Sequence, residues 1–316
     1  MKITVLDAAT LGDDLDLSPL DVFGEVTVYR TSPAECVAER LVGADVAVLN
    51  KVRITERELS GAVSLKLICI MATGYDNIDL AACRAHGVGV CNVAGYSTHS
   101  VAQLTVALAL SLYTHLAEYR AHTVSGAYSK GGVQNCLTPV YHEIAGKTWG
   151  IVGGGNIGMQ VARVAEALGA RVLVYRRHPR GEANEVALDA LLERADIVSL
   201  HVPLNEDSRR MIDARALSLM KKDAMLINVA RGAVLDEAAV ANAVQEGRLG
   251  YFATDVYATE PYGEDHPYVA IADLPNVCLT PHMAWGAKEA RMRCLAECVE
   301  NIRAYTEGKT RSRVDL

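Results

Sequence analysis

Two successive runs of short, apolar, β-branched segments alternate with helical ones along this chain, and no other feature restricts its fold as tightly. In the first ninety-odd residues KITVLD, EVTVYR, DVAVLN, LKLICIMA and VGVCNV read as strands. From Thr148 a second series follows, in TWGIVG, RVLVY, DIVSLHV, AMLINVA, YFATDV and NVCLT. Strands that alternate with helices pair in parallel through crossover connections. With few aromatic residues the core must be built from Ala, Val, Leu and Ile, which suits α/β proteins, whose central strands are apolar on both faces. The expected fold class is therefore α/β, with two doubly wound parallel-sheet domains and a ligand cleft between them.

Local signals punctuate the two series. Ser32-Pro33 is expected to open a helix through an N-cap and a first-turn proline, and Thr55 to open another. One long helix is expected from about Thr98 to Arg120, and a last one from about Gly286 to Glu307. Between the series lies SGAYSKGGVQNCLTPVYHEIAGK, an irregular stretch of a length usually found in functional or docked loops.

Composition removes several classes of function. A length of 316 residues with 50% hydrophobic content suits two folded domains and excludes disorder. With 31 Lys+Arg against 38 Asp+Glu the net charge is −7, so no basic surplus exists to meet a nucleic acid. The opening MKITVLDAAT lacks the apolar stretch and cleavage site of a secretory signal. The longest apolar stretch, VAQLTVALALSLYTHLAEY, is broken by polar residues and reads as a core helix rather than a membrane span. The eight cysteines form no C-x-x-C pair, and several sit in apolar runs as small hydrophobes. No metal site is expected; Cys294 and Cys298 share a helix without a partner pair. The expected location is cytoplasmic.

The segment KTWGIVGGGNIGMQVARVAEALGARVLVYRR carries Gly153-x-Gly155-x-x-Gly158 between a strand and a helix, with a second strand after it. That context is what a dinucleotide fingerprint requires. Gly153 permits the tight turn, Gly155 lets backbone approach a pyrophosphate, and Gly158 lets helix and strand pack closely. The helix N-terminus then offers unpaired N–H groups to the anion. After the second strand an acid would bind the ribose hydroxyls of NAD. Arg176 stands there instead, followed by Arg177, His178 and Arg180. Guanidiniums at that point can pair with the 2′-phosphate of NADP. The alternative is a solvated basic loop.

Farther on, INVARGAVLDE, ATDVYATEP and LTPHMAWGAKEA each place polar residues at or just past a strand end: Arg231, then Asp255 with Glu260, then His282. The carboxyl ends of parallel strands line the ligand crevice of an open sheet, so these groups can converge. Reduction of a 2-keto acid needs a cation for the carboxylate, a polariser for the carbonyl and a proton donor for its oxygen. Arg231 offers the planar fork. His282 can donate the proton or, in reverse, accept it. Glu260 beside His282 would orient the ring and compensate its charge.

With these motifs the sequence resembles the D-isomer-specific 2-hydroxyacid dehydrogenases over nearly its whole length. The matching segments are ATGYDNIDL (72–80), NVAGYSTHSVAQLTVALAL (92–110), AGKTWGIVGGGNIG (145–158), HVPLNEDSRRMI (201–212), INVARGAVLDE (227–237), TDVYATEP (254–261) and TPHMAWGAKEA (280–290). The resemblance implies Arg231, Glu260 and His282 as catalytic residues. It implies two flavodoxin/Rossmann-like domains: a discontinuous substrate domain of 1–97 and 287–316, and a dinucleotide-binding domain of 98–286. The cofactor residues it points to are Gly153, Gly155, Asn156, Ile157, Gly158, Arg176, Arg177, His201, Pro203 and Asp255. Amides around Ala72, Thr73 and Gly74 would hold the substrate carboxylate together with Arg231 and His282, since successive N–H groups in such a turn form an anion nest. A homodimer is expected, with the long helix after Thr98 at its interface, and no partner beyond the small-molecule substrate.

The segments ATGYDNID, Asn50-Lys51 and PHMAWGAKEA are most similar to the glycerate dehydrogenase and hydroxypyruvate (glyoxylate) reductase branch. Three departures stand out: Arg176 for the acid of NAD-using members, Tyr128 where many relatives have Trp, and Asn205 where Thr is usual. No C-terminal regulatory extension is expected. The implied activity is NAD(P)H-dependent reduction of hydroxypyruvate or glyoxylate to the D-2-hydroxyacid and the reverse, with NADP(H) favoured over NAD(H). Two alternatives stay open. One is a dehydrogenase for D-lactate or for a branched D-2-hydroxyacid, which would differ in pocket size. The other is a nucleotide-sensing, corepressor-like binding protein.

Overall fold

In a computed structural model that describes residues 1–316, the chain forms two compact units. The first joins Met1–Ser97 to Trp285–Leu316, and the second is Thr98–Ala284.

The first unit carries five strands, β1 (Lys2–Val5), β2 (Glu25–Val28), β3 (Val46–Leu49), β4 (Leu67–Ile70) and β5 (Gly89–Cys91), all parallel in the order β2-β1-β3-β4-β5. The second carries six, β6 (Thr148–Val152), β7 (Arg171–Tyr175), β8 (Ile197–Leu200), β9 (Met225–Asn228), β10 (Tyr251–Thr254) and β11 (Val277–Leu279), parallel in the order β11-β10-β9-β8-β6-β7. Every expected strand is present. Residues of β3, β4, β8 and β9 are buried without exception, which is why these strands are apolar but for Ser199 and Asn228.

Each sheet has its own core. One layer of the first unit packs Ile3, Val48, Cys69 and Met71 against Cys294, Cys298 and Ile302 of the C-terminal helix Lys288–Thr306. The C-terminal tail is tied back by Asp315, which accepts from the Val90 amide at 2.8 Å and pairs with Arg313. The second core is centred on Leu191, Val198, Leu226, Val240 and Phe252.

Two expectations about helices need correction. The helix expected over 98–120 is two, Thr98–Thr114 and Leu116–Val124, bent by 57°. The break is at His115, whose backbone is left-handed (φ +50°), and the carbonyl of Tyr113 beside it accepts from the His142 amide at 2.9 Å. No single helix is long and apolar enough to cross a membrane. Ser32 does not cap the helix Ala34–Leu41; its hydroxyl donates to the Leu6 carbonyl at 2.5 Å, and Pro33 holds the N-cap position. Thr55 behaves as expected, forming a reciprocal capping box with Glu58. The irregular stretch after Ser125 contains one short helix, Ala127–Lys130.

Candidate active site

Because all six strands of the second sheet are parallel, their carboxyl ends share one edge. Along it, in spatial order, come His282 after β11, Asp255 and Glu260 after β10, Arg231 after β9, His201 after β8, Gly153 after β6 and Arg176 after β7. Five strand spacings of about 4.8 Å make this edge roughly 24 Å long. The order reverses at β6, the switch point where ligands bind open α/β sheets.

Glu260 and His282, 22 residues apart in sequence, meet at one end. His282 Nδ1 lies 2.5 Å from Glu260 Oε2, and Glu260 Oε1 accepts from the Tyr257 amide at 2.9 Å. His282 has a left-handed backbone (φ +53°), a conformation costly for a residue with a side chain. Asp255 holds it there. This fully buried carboxylate accepts from the Thr280 hydroxyl at 2.7 Å and from the amides of Met283 and Ala284 at 2.8 Å each. Tyr257 ties the two loops together, its hydroxyl donating to the Thr280 carbonyl at 2.9 Å.

Arg231 belongs to the same assembly through its neighbour. A Cβ on Gly232 would stand 1.9 Å from the carbonyl carbon of Tyr257 and 2.1 Å from the Ala258 nitrogen. Only glycine lets the Glu260 loop rest directly on the residue after Arg231. Asn228 fixes the turn from below, its side chain donating to the Arg231 carbonyl at 3.0 Å and accepting from the Ala230 amide at 3.0 Å. The Arg231 guanidinium donates to the Ala230 carbonyl at 2.9 Å.

The glycine turn has the form expected of a phosphate cradle. Gly153 is left-handed (φ +107°), and a Cβ there would meet the His201 carbonyl carbon at 2.7 Å. A Cβ on Gly158 would meet the Gly153 oxygen at 2.1 Å, so helix Asn156–Ala167 leans directly on the turn. A Cβ on Gly155 would meet nothing within 4 Å. The amides of Gly155, Asn156 and Ile157 donate to no backbone acceptor, so this N-terminus offers donors that an anion can take. The residues present therefore fit a bound pyrophosphate.

Arg176 is less open than the sequence suggests. Its side chain is only 7% exposed, donates to the Gly154 carbonyl, and pairs with Glu185 at 2.7 Å and Glu182 at 3.3 Å. Glu185 also accepts the amides of Arg180, Gly181 and Glu182, which pins the loop around the guanidinium. Arg177 is exposed and pairs with Asp207 at 2.7 Å. Pro203 accepts through its carbonyl from the Ser208 hydroxyl at 2.7 Å.

In the first unit, Ala72, Thr73 and Gly74 follow β4. The Ala72 carbonyl accepts from the Val93 amide at 3.0 Å, and Asn92 donates to the Thr73 carbonyl at 2.7 Å. The amides of Thr73 and Gly74 donate to no backbone acceptor.

Comparison with known proteins bears on this geometry. The family model for the NAD-binding domain of D-isomer specific 2-hydroxyacid dehydrogenases matches residues 106–284. A glycerate dehydrogenase of Methylorubrum extorquens is 39% identical over 99% of both chains. The chain belongs to the D-isomer specific 2-hydroxyacid dehydrogenase family. Within this family of oxidoreductases it lies in the glycerate dehydrogenase and hydroxypyruvate reductase branch. A hydroxypyruvate reductase of Blautia hydrogenotrophica is 31% identical over 98% of both chains. Among solved structures, an acyclic imino acid reductase in complex with NADPH and D-Arg superposes with a TM-score of 0.85 at 30% identity, covering 99% of this chain and 100% of that one. The cofactor of this dehydrogenase is a nicotinamide dinucleotide.

Several supporting groups escape a reading of the sequence. Glu237 accepts from the Ala258 amide at 2.9 Å and lies 3.1 Å from His266, bracing the Glu260 loop from behind. His266 in turn packs between Tyr257, Tyr262 and Tyr268. Glu237 sits in the motif INVARGAVLDE, but its partner 29 residues on has no motif to announce it.

Proposed function

We propose that this dehydrogenase reduces small 2-keto acids, hydroxypyruvate and glyoxylate first, to D-glycerate and glycolate, and runs the reverse reaction. The observation that carries the reading is the 2.5 Å contact of Glu260 with His282, one strand from Arg231. With Nδ1 engaged by the carboxylate, Nε2 is the nitrogen left to give a proton to the substrate oxygen or to take it back. Arg231 binds the carboxylate of the substrate and polarises its carbonyl. In the first unit, the amides of Thr73 and Gly74, which donate to no backbone acceptor, are an anion nest of their own. Gly153, Gly155, Asn156, Ile157, Gly158, His201 and Pro203 hold the dinucleotide, which supplies the hydride when bound. Asp255, expected among them, is fully buried with both carboxylate oxygens on Thr280, Met283 and Ala284 and acts instead through the His282 loop. Substrate names enter from the relatives: glycerate dehydrogenase, hydroxypyruvate reductase and glyoxylate reductases are among them.

NADP(H) is the favoured cofactor. The support is Arg176 with Arg177 at the end of β7, where an acid would repel a 2′-phosphate. Glu182 and Glu185 share the Arg176 guanidinium, so a phosphate competes with Glu182 for it. The working form is a homodimer in the cytoplasm. The support for association is a run of exposed apolar side chains, Leu116, Val124, Val133, Leu137, Val140 and Tyr141.

One panel tests the reading: initial rates with hydroxypyruvate, glyoxylate, pyruvate and 2-oxoisocaproate, each with NADH and NADPH. The highest kcat/KM is expected for hydroxypyruvate or glyoxylate with NADPH. A clear preference for 2-oxoisocaproate or pyruvate overturns the substrate assignment. Arg176→Asp is expected to move preference towards NADH, and an unchanged cofactor ratio removes Arg176 from that role. Sedimentation of wild type and Val124→Glu tests the dimer.

A further inference from the structure

One buried series of hydrogen bonds crosses the middle of the second sheet and ends beside the glycine turn. Trp149 on β6 and Ser199 on the adjacent β8 are fully buried, and the indole Nε1–H donates to Ser199 Oγ at 2.9 Å. Ser199 Oγ lies 2.9 Å from Nε2 of His201. His201 Nδ1 is buried and has no partner in the protein. The His201 amide donates to the Val152 carbonyl at 2.7 Å, and its own carbonyl packs on Gly153.

The direction of each bond follows from the donor inventory. An indole N–H can only donate, so it takes a lone pair of the Ser199 hydroxyl. That hydroxyl meets no other side-chain or backbone acceptor than His201 Nε2, so its own proton goes there. A nitrogen that accepts carries no hydrogen, and a neutral imidazole has one N–H to place. It falls on Nδ1, the atom without a partner. Burial keeps the ring neutral, pushing its pKa down to about 3. A buried donor left unpaired costs about 1–3 kcal/mol, and such a cost persists where a ligand supplies the acceptor.

We propose that Trp149 and Ser199 are positioning residues that hold His201 in the Nδ1–H tautomer, so that it presents a single buried donor to an oxygen of the bound dinucleotide beside Gly153. This deepens the assignment of His201 to the cofactor and rests on it. Trp149 and Ser199 touch neither substrate nor cofactor; they act through the imidazole.

The test is heteronuclear NMR of the histidine ring nitrogens on the full-length protein, with NADPH and NADH as probes, beside calorimetric Kd values. The wild type is expected to show His201 protonated at Nδ1 and bare at Nε2, with the Nδ1–H signal moving on addition of dinucleotide. Ser199→Ala is expected to mix the tautomers and weaken dinucleotide binding about three- to tenfold, the worth of one hydrogen bond. Its kcat at saturating dinucleotide and its KM for the keto acid should stay within about twofold. Ser199→Thr, which keeps the hydroxyl, should restore both tautomer and affinity, whereas a merely structural role would show equal loss in both variants. A wild-type ring protonated at Nε2 overturns the proposal, as does an unchanged Kd in both Ser199→Ala and His201→Phe. Failure of the wild type to bind either dinucleotide overturns the cofactor assignment as well, which separates the two failures.

Discussion

A buried aspartate follows a strand in each sheet, and the two hold different kinds of loop. In the first unit, Asp7 after β1 gathers the amides of Asn50, Lys51 and Val52 at 2.6–3.2 Å, fixing the loop that leaves β3. Burial pushes its carboxyl above the usual aspartate range, against the three amides and Lys51, which lower it. In the second unit, Asp255 after β10 gathers Thr280, Met283 and Ala284, and so holds the loop with the left-handed His282. Asp7 secures backbone, whereas Asp255 aims the side chain that we propose exchanges a proton. The same carboxylate device therefore holds a backbone loop in one sheet and, in the proposed reaction, the proton-transfer residue in the other.

That contrast can be broken in stages. The largest effect is expected from His282→Ala, with kcat lowered about 10²–10⁴-fold and folding intact; turnover like the wild type would remove His282 from the reaction. Gly232→Ala comes next. Its methyl group has to displace the Tyr257–Ala258 backbone, and a shift of about 1 Å in Glu260 is expected to cost about 10²-fold in kcat. Asp255→Asn sharpens the comparison because its amide NH2 must face an amide N–H or the Thr280 hydroxyl. We expect kcat to fall about tenfold or more, while Asp7→Asn lowers stability by about 1–3 kcal/mol and leaves kcat within about threefold. Denaturant midpoints beside steady-state rates distinguish the two; equal effects on kcat would erase the difference.

The smallest effect concerns acid stability. His201 stays neutral in the folded state down to about pH 3, whereas an unfolded histidine titrates near 6.5. The unfolded state thus takes up a proton that the folded state refuses, and stability is lost as pH falls from about 6.5 towards 3. His201→Gln should flatten that part of a Tm–pH profile; an unaltered slope would show that His201 does not contribute to it.

Most of this architecture is legible from sequence, for a physical reason. Strands apolar on both faces, a turn that only glycine can make and polar residues placed just past strand ends are local patterns. Arg231, Glu260 and His282 follow three adjacent parallel strands, so their shared edge is implied once the strands are recognised. What sequence conceals is where side chains turn after the strand ends. Arg176 is expected to face a phosphate, yet it folds against Glu185 nine residues on, because that loop returns beside β7 through the Val174–Glu185 bridge. The break at His115 is equally silent, since it contains neither proline nor glycine and depends on a carbonyl taken by His142. Trp149 and Ser199 lie inside predicted strands; Ser199 is two residues before His201, and only the pairing of β6 with β8 brings Trp149 to it.

The central claim is that Glu260 works through His282 as one proton-transfer unit. A double-mutant cycle on kcat/KM with Glu260→Gln, His282→Ala and both together tests it most directly. If the carboxylate acts through the imidazole, the double variant is expected within about threefold of His282→Ala alone. Losses that multiply in full, as for two independent residues, would contradict it.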